Sequence, residues 1–315
     1  MLSPTVLKTF YHDLELMNPS MTTCLSEPSI TSSAQHKLNI NAKQSEAVKG
    51  EQRAKQQVAS QFSRAAQSYD QAARIQHFSA LELAQHIEQL HLRTQESMSG
   101  HWLDLGCGTG FAVPTLLQQG AQYITGADLA HGMCLASNEK LTQRPFHAVT
   151  ADAENLPFAN NSFNGIYSNL MVQWSEEIRD LFDEAQRVLK PGCLFAFATL
   201  GPRTMHELKA AWQQVDPFIH VNQFSSKQQI IEQCEAFFDI EIIQQKEIVQ
   251  QHESLSRLLK ELKAIGATNV NSGRRPGLGG RERLRQLEKS YRDVCNSEQI
   301  LPLTYDLIWI IARKR

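Results

Sequence analysis

The residues best suited to chemistry stand in the stretch HWLDLGCGTG, positions 101–110. A short apolar run ends in an acid, Asp104, and glycines follow at 106, 108 and 110. Closely spaced glycines let a backbone turn sharply and present its amides to a ligand. A dinucleotide fingerprint, G-x-G-x-x-G, would need its third glycine at position 111, where this chain has Phe111. The acid is the stronger clue. A pyrophosphate favours a helix N-terminus and would be repelled by a carboxylate beside it. A ligand bearing an ammonium and a sulfonium would be attracted.

S-adenosylmethionine carries both cations, and a carboxylate that loop amides can bind. The plainer reading of the loop is a tight strand-to-helix turn with no ligand. Two further acids favour the ligand. Asp128 ends ITGADLA, with Leu129 beside it, about twenty residues past the loop, where an acid hydrogen-bonds ribose hydroxyls. Asp152, with Ala153, lies in TADAENLPF and is placed to accept from an adenine amino group. Met133 offers a thioether to the adenine face. Taken singly, either acid fits a helix N-cap and Met133 fits a core position; the three occur in order, each at or just past a strand end.

The elements that must position these groups alternate. HWLDLG reads as a buried strand, FAVPTLLQQG as a helix closed by Gly120, AQYITGADLA as a strand and GMCLASNEKL as a helix. FHAVTADA and SFNGIYSNLMV read as strands, IRDLFDEAQRVLK as a helix and CLFAFATL as a buried strand. This alternation predicts an α/β fold, a doubly wound, mostly parallel Rossmann-like sheet whose ligands sit at the carboxyl ends of the strands. After Leu200 the alternation breaks into extra helices, including SLSRLLKELKAIGA and RERLRQLEKSYRDV, before a last strand, LTYDLIWIIARK. These predict an α-helical cap built from C-terminal insertions at about 201–235 and 252–296. From about Gln52, Val58, Phe62, Ala66 and Tyr69 recur at helical spacing and predict an N-terminal helix. Residues 1–50 are rich in Ser, Thr, Asn, Gln and Pro and read as a disordered tail; residues 51–315 form the expected domain.

Bulk properties exclude several classes. The 315 residues carry a net charge of −2, which points neither to nucleic acid nor to an anionic membrane. No apolar run is long enough to span a bilayer, and no basic segment with an apolar core marks a secretory signal. Cys24, Cys107, Cys134, Cys193, Cys234 and Cys295 are scattered without a C-x-x-C pair. That suits free thiols in a cytoplasmic protein and gives no metal set.

DLGCGTG, GADLAHGM, DAENLPF, NLMVQW and RVLKPGC together resemble the class I S-adenosylmethionine-dependent methyltransferases, over roughly residues 55–315. The resemblance implies Asp104, Gly106, Gly108 and Gly110 around the methionine part, Asp128 at the ribose, and Asp152 with Ala153 at the adenine. The N-P-P-Y motif of nucleic-acid base methyltransferases is replaced here by SNLMVQW. FSRAAQSYDQAARIQ, SNLMVQW, ATLGPRTMHELKAAWQQVDPFIHVNQF and LKELKAIGATNVNSGRRPGLGGRERL narrow the likeness further. As a set they are similar to the malonyl-[acyl-carrier protein] O-methyltransferase family of biotin synthesis. The tail exceeds what that family requires, and Met17 and Met21 are alternative starts.

This likeness implies methyl transfer to the free carboxylate of a malonyl group on acyl carrier protein, by a monomer. Alternatives are a methyltransferase for a free small carboxylic acid or quinone precursor, and a cofactor-binding protein without turnover. A carboxylate is ionised near pH 7, so no general base is needed. Tyr69 is expected at the active site by family equivalence, with a core aromatic as the plainer reading. Asn169, Gln173 and Trp174 are expected to floor the acceptor site. Arg203, Arg274 and Arg275 are candidates for the malonyl carboxylate, since a planar cation suits it, and His220 is a candidate to orient the acceptor. An acidic carrier protein calls for a basic rim, for which Arg281, Arg283 and Arg285 are candidates; a solvated helix start is the plainer reading.

Overall fold

The computed structural model describes residues 55–266, 280–297 and 299–315, all within one compact unit, Arg53–Arg315. The expected tail, 1–50, lies outside the described residues. Strands β1 (His101–Leu105), β2 (Tyr123–Asp128), β3 (Phe146–Thr150), β4 (Phe163–Asn169), β5 (Leu189–Leu200), β6 (Phe238–His252) and β7 (Leu301–Lys314) form one sheet in the order β3-β2-β1-β4-β5-β7-β6. The first five pair in parallel, while β7 runs antiparallel to both β5 and β6. Strand order reverses between β1 and β4, and a doubly wound sheet opens its crevice at such a point.

The central strands are buried on both faces, which is why they read as apolar runs. On one face Leu103, Leu105, Phe195 and Phe197 pack with Leu181, Phe182 and Val188 of α6 (Ile178–Val188). Fully burying each of these side chains is worth about 1.5–3 kcal/mol. The other face carries Trp102, Asp104, Tyr167 and Trp309. It is covered by α3 (Arg74–Thr94), whose backbone carbonyls at Ala80 and Ser79 accept from Tyr167 Oη at 2.9 Å and Trp309 Nε1 at 3.1 Å.

Ahead of α3 lie α1 (Lys55–Ala65) and the single turn α2 (Tyr69–Ala72). The helices α4 (Val113–Gln118) and α5 (His131–Lys140) alternate with β1–β3. Four more helices occupy the C-terminal part: α7 (His206–Val215), α8 (Lys227–Cys234), α9 (Leu255–Ala264) and α10 (Gly280–Cys295). Of these, α7 and α10 pack together, with Ser290 Oγ donating to the Ala211 carbonyl at 2.9 Å. Among the described residues no helix is long and apolar enough to cross a membrane.

Candidate functional site

A cavity of about 820 Å³, counting its open mouth, lies at the carboxyl ends of β1–β4. Its floor is Leu105, Gly106 and Gly108; Asp128, Leu129 and Met133 form one wall, and Asp152, Ala153 and Glu154 another. Asn169, Leu170, Met171 and Trp174 follow β4 along the third side. Lys55, Val58 and Phe62 of α1 and Tyr69 of α2 close it from above.

The loop after β1 is folded onto the end of β2. Gly106 N and Cys107 N donate to the Ala127 carbonyl at 2.7 and 3.2 Å. Two glycines are demanded for different reasons. At Gly106 φ is +75°, and a Cβ would sit 2.4 Å from Met171 Cγ, so packing against the β4 side fixes this glycine. At Gly108 φ is +51° and a Cβ would meet nothing within 4 Å; that space opens into the cavity floor. Gly110, by contrast, faces Leu141 and does not line the cavity.

Asp128 is held by the same loop. Its Oδ2 accepts from Gly108 N at 2.9 Å and its Oδ1 from Ala130 N at 2.8 Å. Each oxygen keeps a second acceptor site for a ligand hydroxyl. Burial raises its pKa, against the lowering effect of those two amides.

Asp104 does not line the cavity itself. It pairs in register with Tyr167, so its side chain lies on the face under α3, with Asn169 two residues further along β4. Asn169 Nδ2 donates to the Gln76 carbonyl of α3 at 2.9 Å, which leaves its Oδ1 as an acceptor. That Oδ1 and Asp104 Oδ2 are both buried with no partner among the described residues. Burial, with the Asp128 charge second, pushes Asp104 up to about 7. Two orphan acceptors beside the floor fit a cationic amine, the group the sequence assigns to this position.

At the far wall the structure adds what the sequence reading did not include. Lys55 Nζ lies 2.7 Å from Asp152 Oδ2 and 2.6 Å from Glu154 Oε2. Glu154 Oε1 accepts from Ser175 Oγ at 2.6 Å and Glu176 N at 2.8 Å. One carboxylate thus joins the lid helix α1 to the segment after Trp174, and Asp152 meets the cavity already paired with a cation. Nothing in the polar stretch around Lys55 marks it for this role. Phe62 had a signal, the Val58–Phe62–Tyr69 stripe, but that stripe faces the cavity as well as the core. The Phe62 ring is edge-on to Trp174 at 5.2 Å and tilted against Tyr69 at 6.3 Å.

Several expected acceptor residues lie elsewhere. Gln173 turns away in the 3-10 turn Val172–Trp174, donating to the Leu170 carbonyl at 2.7 Å and accepting from Thr199 Oγ1. Arg203 is exposed and paired with Glu247. His220 stacks on Trp212 at 3.7 Å, with Nε2 2.7 Å from Asp216 Oδ1. Arg283 pairs with the same Asp216 and reaches His220 Nε2 at 3.3 Å. It therefore ties α10 to the segment after α7, and its guanidinium is committed inside the protein. Arg281 and Arg285 are exposed on α10. None of Gln173, Arg203, His220, Arg281, Arg283 or Arg285 lines the cavity; Arg274 and Arg275 lie outside the described residues. Among the described residues no His, Cys, Asp and Glu side chains gather into a metal set.

A family model described as "Methyltransferase domain" matches residues 103–197, the stretch from β1 into β5. The YcgJ protein of Bacillus subtilis shares the fold, with a TM-score of 0.53 over 73% of this chain and 99% of that one, at 19% identity. The biotin biosynthesis bifunctional protein BioHC of Teredinibacter turnerae is 38% identical over 271 residues, which are 82% of this chain and 47% of that protein. The chain thus spans about half the length of such bifunctional relatives. A malonyl-[acyl-carrier protein] O-methyltransferase of Dechloromonas aromatica is 35% identical over 270 residues, 84% of this chain and 97% of that one. With a relationship that runs almost end to end along that enzyme, and a cavity where such a sheet binds its ligand, the chain belongs to the malonyl-[acyl-carrier protein] O-methyltransferase family.

Proposed function

We propose that the chain transfers a methyl group from S-adenosylmethionine to the free carboxylate of a malonyl group held on acyl carrier protein. The observation that carries this reading is the 35% identity spanning 97% of a methyltransferase named for that substrate. The cavity supports it. In this reading Asp128 receives the ribose hydroxyls, the Gly106–Gly108 backbone receives the methionine carboxylate, and Asp104 with Asn169 receives the ammonium. Met133, Asp152 and Ala153 border the adenine. The bound cofactor supplies an electrophilic methyl on a sulfonium.

The acceptor carboxylate is already an anion at neutral pH, so the protein's task is placement and water exclusion. Tyr69 suits placement. Burial, then the charges of Asp128 and Asp70, hold its phenol well above the ordinary range, so it remains a neutral donor. Phe62 and Trp174 exclude water beside it. Arg274 is the proposed partner of the malonyl carboxylate. Gly266, the last described residue before that segment, packs on Phe62, so the chain leaves the described structure at the cavity lid. The docking rim reduces to Arg281 and Arg285, because Arg283 is committed to Asp216. We also keep the division into a tail, 1–50, and a methyltransferase domain, 51–315, as part of this reading.

The test is transfer of labelled methyl to malonyl-carrier protein, malonyl-coenzyme A and free malonate side by side. Preferential, base-labile labelling of the carrier-bound malonyl group is expected. Labelling of free malonate with equal or greater kcat/KM would replace the reading with a small-acid methyltransferase.

A further inference from the structure

Tyr69 and Asp70 are neighbours on the one-turn helix α2, and they point into different surroundings. Tyr69 faces the cavity. Asp70 faces the glycine loop and the end of α5. Its Oδ1 accepts from the hydroxyl of Thr109, a buried residue of the glycine loop, and its Oδ2 lies 2.7 Å from Lys140 Nζ. His77 Nε2, on the first turn of α3, is 3.7 Å from Oδ1, and the His77 ring stacks at 3.7 Å on Phe111, just past the loop. One carboxylate therefore meets three elements: the glycine loop, a helix that carries a cavity residue, and a helix that holds one through its backbone. Thr109 belongs to the turn that presents Gly106 and Gly108. Lys140 ends the helix on which Met133 stands. His77 is on the helix whose Gln76 carbonyl holds Asn169.

Two other contacts reach the lid turn: it packs on α9, and the Tyr69 ring leans on Phe62. The helix α2 is four residues long, its side chains are only partly buried, and its Ser68 cap makes no side-chain hydrogen bond to the helix. A turn this short is not stable by itself. Neither of those contacts is polar, so the directional anchor of the turn is the hydrogen-bonded carboxylate of the next residue. The lowering of the Asp70 carboxyl below its usual range, led by the His77 contact and opposed by burial, is consistent with an anion held in place.

We propose that Asp70 is a positioning residue for methyl transfer: it registers the lid turn against the glycine loop, so that Tyr69 stands in the cavity wall only when that loop is in its folded shape. Asp70 makes no contact with substrate. It acts through Tyr69, and the consequence is an order of events. The loop must be set before the acceptor wall is complete, which links the methyl-donor end of the cavity to the acceptor end through a side chain outside it. The inference rests on the methyl-transfer reading for its kinetic readout but has a second readout that does not.

The experiment is a double-mutant cycle on the full chain, using Tyr69→Phe, Asp70→Asn and the pair, with S-adenosylmethionine and malonyl-carrier protein. Asp70→Asn should lower kcat about tenfold, while the dissociation constant for S-adenosylmethionine, by calorimetry, moves less than about threefold. In the Tyr69→Phe background the same change should cost less than about twofold, because the two residues act as one unit. Asp70→Glu, with its longer reach, should restore part of the loss. In parallel, amide hydrogen exchange over 66–76 should quicken in Asp70→Asn, while exchange over β5 stays unchanged. Losses that multiply in the double variant, or a fall in cofactor affinity as large as the fall in kcat, would overturn the proposal, and so would unchanged exchange over 66–76. If the wild-type chain methylates no malonyl acceptor, the functional reading fails, and the exchange arm still decides whether Asp70 holds the lid.

Discussion

The two ends of the sheet are built for different purposes. Every residue that lines the cavity falls between Lys55 and Ser175, on or beside β1–β4 and the lid. The other end, β5-β7-β6 with α7 and α10, contributes none. Several of its polar side chains are instead turned on one another: Asp216 gathers His220 and Arg283, Glu207 accepts from Thr304, and Asp306 accepts from Gln245. The first end leaves acceptors open beside a cavity, at Asp104 and Asn169, while the second closes the networks named here and leaves its own open atoms, at Gln250 and His252 on β6, away from the cavity. An open valence beside a cavity is one that a ligand can complete, whereas a network turned inward is one the protein completes itself.

Glycines give the sharpest way to break this contrast. Gly106→Ala adds a Cβ 2.4 Å from Met171 at φ +75°, so strain and a clash act together. A loss of about 2–6 kcal/mol is expected, shared between thermal stability and cofactor affinity. Gly192→Ala, in β5 at φ +74° with nothing within 4 Å, carries strain alone. It should cost about 1–2 kcal/mol by denaturant titration and leave cofactor binding unchanged. Equal effects at the two positions would mean that the loop is not shaped by Met171.

Next in size are two charged residues. Asp128→Ala should weaken S-adenosylmethionine binding by about 1.5–3 kcal/mol, read by calorimetry, and should also lower the melting temperature, because Gly108 N and Ala130 N lose their acceptor. Arg283→Ala should touch stability alone. It leaves the half-buried Asp216 without its guanidinium, for about 1–3 kcal/mol of stability, and should spare cofactor affinity. A carrier-specific rise in KM for Arg283→Ala at unchanged stability would return that residue to the docking rim.

pH should act on Asp104 and Asp216 with opposite sign. Burial, then Asp128, raises Asp104 to about 7, so the folded protein holds this proton more tightly than the unfolded chain does. The associated stability is full below the ordinary aspartate value of about 4 and declines as pH rises toward 7. Asp104→Asn should flatten that limb, and in the wild type cofactor affinity should strengthen up to about pH 7 as the carboxylate forms. Asp216 behaves in the other direction. Burial opposes it, but the Arg283 and His220 hydrogen bonds hold its carboxyl below the ordinary range. Its contribution is present above about pH 4 and is lost as pH falls below. Urea midpoints from pH 3 to pH 8 for wild type, Asp104→Asn and Arg283→Ala would separate the two limbs.

The smallest effect belongs to the exposed arginines. Arg281→Ala with Arg285→Ala should raise KM for malonyl-carrier protein by about 0.2–1 kcal/mol per charge and blunt its rise with salt. The same pair should scarcely affect malonyl-coenzyme A. An equal rise for both acceptors would move carrier docking off α10.

What could be read in advance follows from the same contrast. Asp128 and Asp152 were legible because a strand end is a position that sequence announces, and the cavity forms there. Lys55 was not, since its partners lie 97 and 99 residues away and its own surroundings are polar. Trp174 and Gln173 are adjacent and were read alike; the 3-10 turn sends one to the cavity and the other to Leu170 and Thr199. From sequence His220, in FIHVNQF, is a candidate to orient the acceptor, and Arg283, in an Arg-rich run, a candidate for the carrier rim. Only the packing of α7 on α10 reveals that they meet across 63 residues of chain.

The position of β7 has a consequence for how the protein is made. This strand comes after every other described element, yet it lies inside the sheet, and among the described residues β6 has no other strand neighbour. A ribosome therefore delivers the fifteen residues of Phe238–His252 well before Leu301–Lys314 exists to pair with them. Until then β5 also keeps a bare edge, and both are open templates for another nascent chain. Productive folding is thus tied to the synthesis of β7, and termination near residue 300 would leave β5 and β6 with adhesive edges.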